Sequence, residues 1–261
     1  MINGGNFNLG NATAVSGAIT INGGTIDNTS GAAITLLNTV NINGDFAFGG
    51  TNNLNLGTGA IALSANRTIT TNGTANLTIG GVISGAFALA KSGSGTMTLT
   101  ALSNYSGGTT VNGGSLVLSN GGAAGVIEGA LTINSGATVK ATVTDALGYN
   151  AGSQVTTINV NGGTFDDGVN ANQGYRTNFN LTGGSVTSTG GGQINFTVGF
   201  GITSNASATS SVWSAPILLR DSGNTMAISV ADGAADSDLV ISGVIAGGEK
   251  TSPRAARASW C

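Results

Sequence analysis

Apolar and polar positions alternate in short runs along almost the whole chain. Ala18-Ile19-Thr20-Ile21, Met97-Thr98-Leu99, Ser115-Leu116-Val117-Leu118 and Gln193-Ile194-Asn195-Phe196-Thr197-Val198 are examples. Successive side chains on a strand point to opposite faces, so a period of two carried by Val, Ile, Thr and Leu predicts half-buried strands. No run fits a helical template. Between the runs stand paired glycines and Asn-Gly steps, which supply the positive φ angles that tight corners require.

The corners themselves recur. A phrase of aliphatic, Asn or Thr, Gly or Ser, Gly or Asp, any residue, apolar spans Ile2 to Phe7, Ile21 to Ile26, Val111 to Leu116, Val160 to Phe165 and Leu181 to Val186, with looser copies at Ile42 and Ile133. Its starts lie 19 and 21 residues apart early on, then 22, 27 and 21. A propeller blade needs roughly 40–50 residues per repeat, so this period is too short for one and suits one coil of a solenoid. An antiparallel sandwich does not normally repeat one turn phrase throughout. The fold expected is all-β, a single right-handed parallel β-helix incomplete at its C-terminal end. Roughly a dozen coils stacked at about 4.8 Å would make a rod on the order of 60 Å long. A single coil is too thin to bury its own apolar face, so each depends on its neighbours. Asparagines at equivalent corners are expected to stack in ladders.

Composition narrows the function. Glycine supplies 45 of 261 residues, proline 2 and histidine none, with 7% charged and 40% apolar residues. Collagen needs far more proline, and disordered chains combine low hydrophobicity with high charge, so neither class fits. The net charge is −3, and Arg67, Lys91, Lys140, Arg176 and Arg220 are scattered, which argues against a nucleic-acid partner. The one cysteine, Cys261, cannot close an intrachain disulfide. No apolar run is long enough for a membrane helix, and the opening M-I-N-G-G-N-F lacks the pattern of a signal peptide.

Residues 89–118 read L-A-K-S-G-S-G-T-M-T-L-T-A-L-S-N-Y-S-G-G-T-T-V-N-G-G-S-L-V-L. This stretch resembles the autotransporter-associated β-strand repeat, also called the passenger-associated transport repeat. The matching positions are Leu89, Lys91, Gly93, Gly95, Thr96, Leu99, Asn104, Tyr105, Gly107, Thr109, Val111, Gly114, Leu116 and Leu118. Met97 departs from the usual aliphatic residue, and Ala101-Leu102 replaces a glycine-containing step. Upstream, Leu56 to Ala60 and Ala65 to Ile69 resemble the run that often precedes the repeat. The resemblance implies a segment of a bacterial passenger, at the cell surface, at the outer membrane or secreted, that serves as a stalk or adhesive spacer. The repeat names no ligand; surface glycans and host or matrix molecules are the partner classes considered. No enzyme activity, cofactor or metal is expected. A carbohydrate-binding or carbohydrate-processing β-helix is the alternative, and a truncated pseudogene product the third.

The passenger-like texture covers residues 1–248, and the tail 249–261, E-K-T-S-P-R-A-A-R-A-S-W-C, is foreign to it. Leu77 to Gly85 leads into the repeat, and the similar Leu239 to Gly247 leads into this tail instead. Codons permitted for the tail, read two nucleotides later, can encode K-D-L-T-K-S-G-A-G-I-L-V, the opening of another repeat. A frameshift is therefore the expected origin of the tail, with a short natural C-terminus as the alternative; a frameshift would leave Lys250, Arg254, Arg257, Trp260 and Cys261 without an evolved role. Rods cut between coils expose strand edges, so end-to-end self-association is expected.

Few residues offer chemistry. Without histidine, the usual general base and commonest metal ligand are missing. Asp166-Asp167 is the candidate carboxylate pair, expected to stand on opposite strand faces at a solvated corner. Asp236 and Asp238, with Asp232 near, would share a face for calcium if that stretch were a strand. Tyr105, Tyr149, Tyr175 and Trp213 are candidates for stacking on sugars, or for capping coils. Ser204 to Ser211 is expected to leave the rod as a loop.

Overall fold

In a computed structural model of the protein, residues 1–11, 13, 15–168, 171–173, 176–220 and 225–247 are described. Every regular element among them is a strand, and every pairing between named strands is parallel. The chain visits three faces in turn and climbs one rung each time, giving a parallel β-solenoid of about ten turns. The tail 249–261 and Tyr175 lie outside the described residues.

The second face shows how the alternation builds the core. Ile34, Leu54, Leu77, Met97, Leu116, Val139, Phe165, Val186, Trp213 and Ile241 stand in one register column, each paired with the residue one rung on. All but Ile241 are buried. Burying each Leu, Ile or Val contributes about 1.5–3 kcal/mol, and each does so only against its neighbour above and below. Toward the last turns the filling turns aromatic: Phe179 meets Phe165, Phe196 and Trp213 edge-on at centroid distances of 5.8, 6.0 and 4.9 Å.

The recurring phrase falls at two register positions rather than one. Ile2, Ile21 and Ile42 form one column, while Val111, Ile133, Val160 and Leu181 form another that continues back through Lys91 and Ile69 to Phe46. The reason is local. Ile19–Asn28 runs as a single long strand through Gly23 and Gly24, with register shifts against its neighbour, so the phrase stays on one face there. In later coils Thr109–Val111 and Gly114–Leu118 lie on different faces, and the same phrase bends the chain between them.

The expected ladders exist in short pieces. Asn22 donates to Asn3 Oδ1 at 2.7 Å, Asn134 to Asn112 Oδ1 at 2.7 Å, and Asn180 to Asn159 Oδ1 at 3.0 Å. Thr and Ser interrupt them, with Asn205 donating to the Thr182 hydroxyl at 3.1 Å. The serine-rich loop is shorter than expected: Ser204 and Ser211 are both buried strand residues, and Ser204 Oγ donates to Ser211 Oγ at 3.0 Å. Residues 205–210 alone leave the rod.

The third face is broken. Ile61–Ala62, Ile83–Gly85 and Asn104–Tyr105 form its first part, and Ala171–Gln173, Gln193–Phe196, Ile217–Leu219 and Ile245–Gly247 its second. Between them the rungs carry loops at 119–128 and 142–154 instead of a strand.

Candidate functional site

Three places combine polar chemistry with defined geometry: the repeat at 89–118, the Asp166-Asp167 step, and a cleft at the break in the third face.

In the repeat, the alternation Leu89, Lys91 and then Met97, Leu99 sends all four side chains inward. Lys91 occupies the core column between Ile69 and Val111 and is fully buried. Its Nζ donates to the carbonyls of Ser92 at 3.3 Å, Gly93 at 3.0 Å and Gly113 at 2.8 Å. An ammonium has three protons, so these three acceptors satisfy it. Burial disfavours the charged form and lowers the pKa from 10.5 to about 8. Lys91 thus ties the corner of its own rung to that of the next.

The glycines of this corner have no freedom to be anything else. Gly93 (φ 78°) and Gly114 (φ 60°) are left-handed, and a Cβ on Gly93 would strike the Thr71 carbonyl oxygen, while one on Gly114 would strike those of Gly95 and Gly93. Gly95 lies 2.7 Å, measured from an added Cβ, from the Asn72 carbonyl oxygen. At the opposite corner a Cβ on Gly107 would meet the Phe87 backbone. Asn104 is exposed, whereas Tyr105 is fully buried, and its hydroxyl is 2.6 Å from Thr109 Oγ1. Desolvation raises the Tyr105 pKa far above its usual value, so the phenol stays neutral. Thr96 packs on the outside, and Leu99, Val111, Leu116 and Leu118 fill the core. Most matched side chains therefore serve the coil itself, while Thr96 and the exposed Asn104 contribute their backbone to the ladders.

The aspartate pair is not a solvated corner. Asp166 accepts from Thr189 N at 2.9 Å and Thr189 Oγ1 at 2.7 Å, and pairs with Lys140 Nζ at 3.0 Å. Burial works against its charge, but these donors and the Lys140 cation outweigh that and hold its carboxyl below the usual range. Asp167 points the other way and is fully buried, with neither carboxylate oxygen bonded among the described residues. Desolvation, aided by the Asp166 charge, pushes it up to about 8. The two groups do not converge on one groove.

The other candidates divide. Residues 232–238 form a loop, so Asp236 and Asp238 do not share a strand face. Asp238 Oδ1 instead accepts from Gly233 N at 2.9 Å. Trp213 and Tyr105 are interior and unavailable to sugars; Trp213 Nε1 donates to the Ala215 carbonyl at 2.9 Å. Tyr149 is 39% exposed.

Tyr149 lines a cleft of about 540 Å³ together with Asp145, Asn150, Ala151, Arg176, Thr197 and Arg220. Its floor follows the solenoid. Phe196 and Leu219 pair on adjacent rungs, Thr197 and Arg220 come one step later, and Arg176 belongs to the rung before. Its wall is the 142–154 loop. That loop is stitched to residues 121–128 by Gly122 N to Asp145 O at 3.2 Å, Val126 N to Ala146 O at 2.9 Å and Tyr149 N to Ala123 O at 3.0 Å, over the buried Val126, Ile127, Ala146 and Leu147. Asp145 is left-handed (φ 57°), and its Oδ1 is shielded without a partner among the described residues. Burial raises its pKa, with Arg220 pulling in the opposite direction. In the sequence these arginines lie far apart and look scattered. The signal was present: Thr197 follows Arg176 by 21 residues and Arg220 follows Thr197 by 23, the spacing of a coil.

A family model described as a passenger-associated-transport-repeat matches residues 89–118. No curated protein matches the chain. No solved structure matches it. The matched repeat and the solenoid together fit a repeat region of an autotransporter passenger.

Proposed function

We propose that this chain, carrying one passenger-associated transport repeat in a parallel β-solenoid, is a non-catalytic stalk or spacer of a bacterial passenger protein displayed at the cell surface or secreted. The observation that carries the reading is the repeat itself, most of whose matched residues are spent on the coil: Lys91 binds carbonyls of two rungs, Tyr105 binds Thr109, and the glycines make corners and close approaches. Stacked coils give length at low sequence complexity, which suits a spacer. The non-catalytic part of the reading is supported by Asp166 and Asp167, which face apart and are committed to an ion pair and to the core.

The reading is tested in cells that express the natural gene. Protease added to intact cells should remove the chain's antibody signal while a cytosolic marker survives, and deletion of residues 89–118 should slow its appearance outside. A signal that stays protected until cells are lysed would refute surface display.

A further inference from the structure

We propose that the cleft at the break in the third face binds a carboxylated sugar, with Arg176 and Arg220 pairing its carboxylate and Tyr149 carrying the ring. The proposal rests on this cleft alone and does not depend on the stalk reading.

Charge placement points there first. The chain has few cations, and three of those among the described residues lie elsewhere on the rod. Lys91 is buried against carbonyls, Lys140 pairs with Asp166, and Arg67 donates to Asn66 O at 3.2 Å and Ser64 Oγ at 3.0 Å. The other two, Arg176 and Arg220, line the same cleft of a protein whose net charge is −3. Both are exposed, so their planar guanidinium groups stand at the solvent side of the cleft, where a carboxylate can approach them.

The rest of the lining selects the kind of anion. Asp145 stands against Arg220, so the cleft holds two positive groups and one negative and favours a singly charged ligand. A nucleic acid would need a longer array of cations to neutralise its phosphates. Tyr149 offers a partly exposed ring, suited to the apolar face of a pyranose. Asn150 and Thr197 provide amide and hydroxyl groups for sugar hydroxyls. A volume of about 540 Å³ lies within the range of small-ligand clefts. The loop carrying Tyr149 and Asn150 is held by backbone hydrogen bonds before any ligand arrives, which reduces the ordering cost of binding. By contrast, the groove around Leu36, Leu37, Thr58 and Gly59 is lined by no charged residue.

The sugar carboxylate can come from a uronic acid or a sialic acid, and two singly charged probes separate these: methyl galacturonoside and sialyllactose. Calorimetric titration of the full chain should show binding of at least one of them. The uncharged methyl ester of the bound probe should bind at least about tenfold more weakly, the effect expected from losing one charge-assisted hydrogen bond. R176Q and R220Q should each weaken binding by about tenfold by the same reasoning, and Y149A should weaken it too. K140Q, away from the cleft, should leave affinity unchanged. Because both arginines are exposed, their variants should retain the wild-type far-ultraviolet spectrum. The proposal is overturned if the wild type binds neither probe, if acid and ester bind equally, or if either arginine variant binds like the wild type.

Discussion

The Lys91 ammonium donates a 2.8 Å hydrogen bond to the carbonyl of Gly113, one rung further along the rod, from inside a column otherwise filled by Ile69, Val111 and Ile133. A cation in an apolar column is tolerated because the corner turns its carbonyls inward, and three of them meet the three ammonium protons.

Removing that side chain should be costly in two separable ways. K91A loses the packing of the stem and leaves the carbonyls without their donor, a loss of about 2–4 kcal/mol. K91M restores most of the packing and should lose about 1–2 kcal/mol. The charge also leaves a pH signature. Between about 8 and 10.5 the unfolded chain keeps a proton on Lys91 that the folded chain has released, so stability rises with pH across that window. Urea titrations at several pH values should show the rise in the wild type and its absence in K91M.

Asp167 should act in the opposite sense. Its carboxyl is pushed up to about 8, so from the ordinary aspartate range to that value the folded chain holds a proton the unfolded chain lacks. Its contribution is fully present below the unfolded pKa and is lost as pH rises through the folded one, with a slope of at most about 1.4 kcal/mol per pH unit. D167N stays neutral and keeps the shape. It should match the wild type near pH 3 and be more stable near pH 8; parallel stability curves would show that Asp167 is not desolvated.

Two left-handed glycines should answer differently to the same change. At Gly136 (φ 77°) an added Cβ meets nothing, so G136A should cost only the left-handed strain of about 1 kcal/mol. At Gly114 the Cβ strikes backbone of the previous rung, so G114A should cost at least about 3 kcal/mol. Denaturant midpoints measure both, and equal losses would mean the rungs are not in close contact at Gly114.

The last described rung should promote association. Ala227–Val230 pairs on one side with Gly201–Ser204, and Ile228 and Val230 are 44% and 51% exposed. Such an edge invites a second strand. Sedimentation should show concentration-dependent assembly, reduced in I228K/V230K, and a wild-type chain that stays monomeric at high concentration would refute this.

The strands were legible because their alternation is a local consequence of having one wet and one buried face. Met97-Thr98-Leu99 and Ser115 to Leu118 read out their burial directly, and the repeat at 89–118 could be located to the residue. Register was harder to read. The phrase at Ile21 and the phrase at Val111 look alike, yet one lies within a strand and the other bends between faces, because register depends on the neighbouring rung. The same limit hid Lys91 in the core and Asp167 pointing inward, since both types normally stay wet. The cleft was hidden for a related reason: Arg176 and Arg220 are two coils apart in sequence and line one cleft only because the rungs stack.

Stacking in register is also what can be measured most directly. On the first face, Thr68, Ala90, Thr110, Thr132, Asn159, Asn180 and Thr203 form one outward column. Spin labels placed in a C261S background at Thr68 with Thr132, Asn180 or Thr203 lie three, five or six rungs apart. At about 4.8 Å per rung, dipolar spectroscopy should return backbone separations of roughly 14, 24 and 29 Å, rising linearly with rung number. Distances that fail to grow with rung number, as antiparallel hairpins would give, would contradict the parallel solenoid.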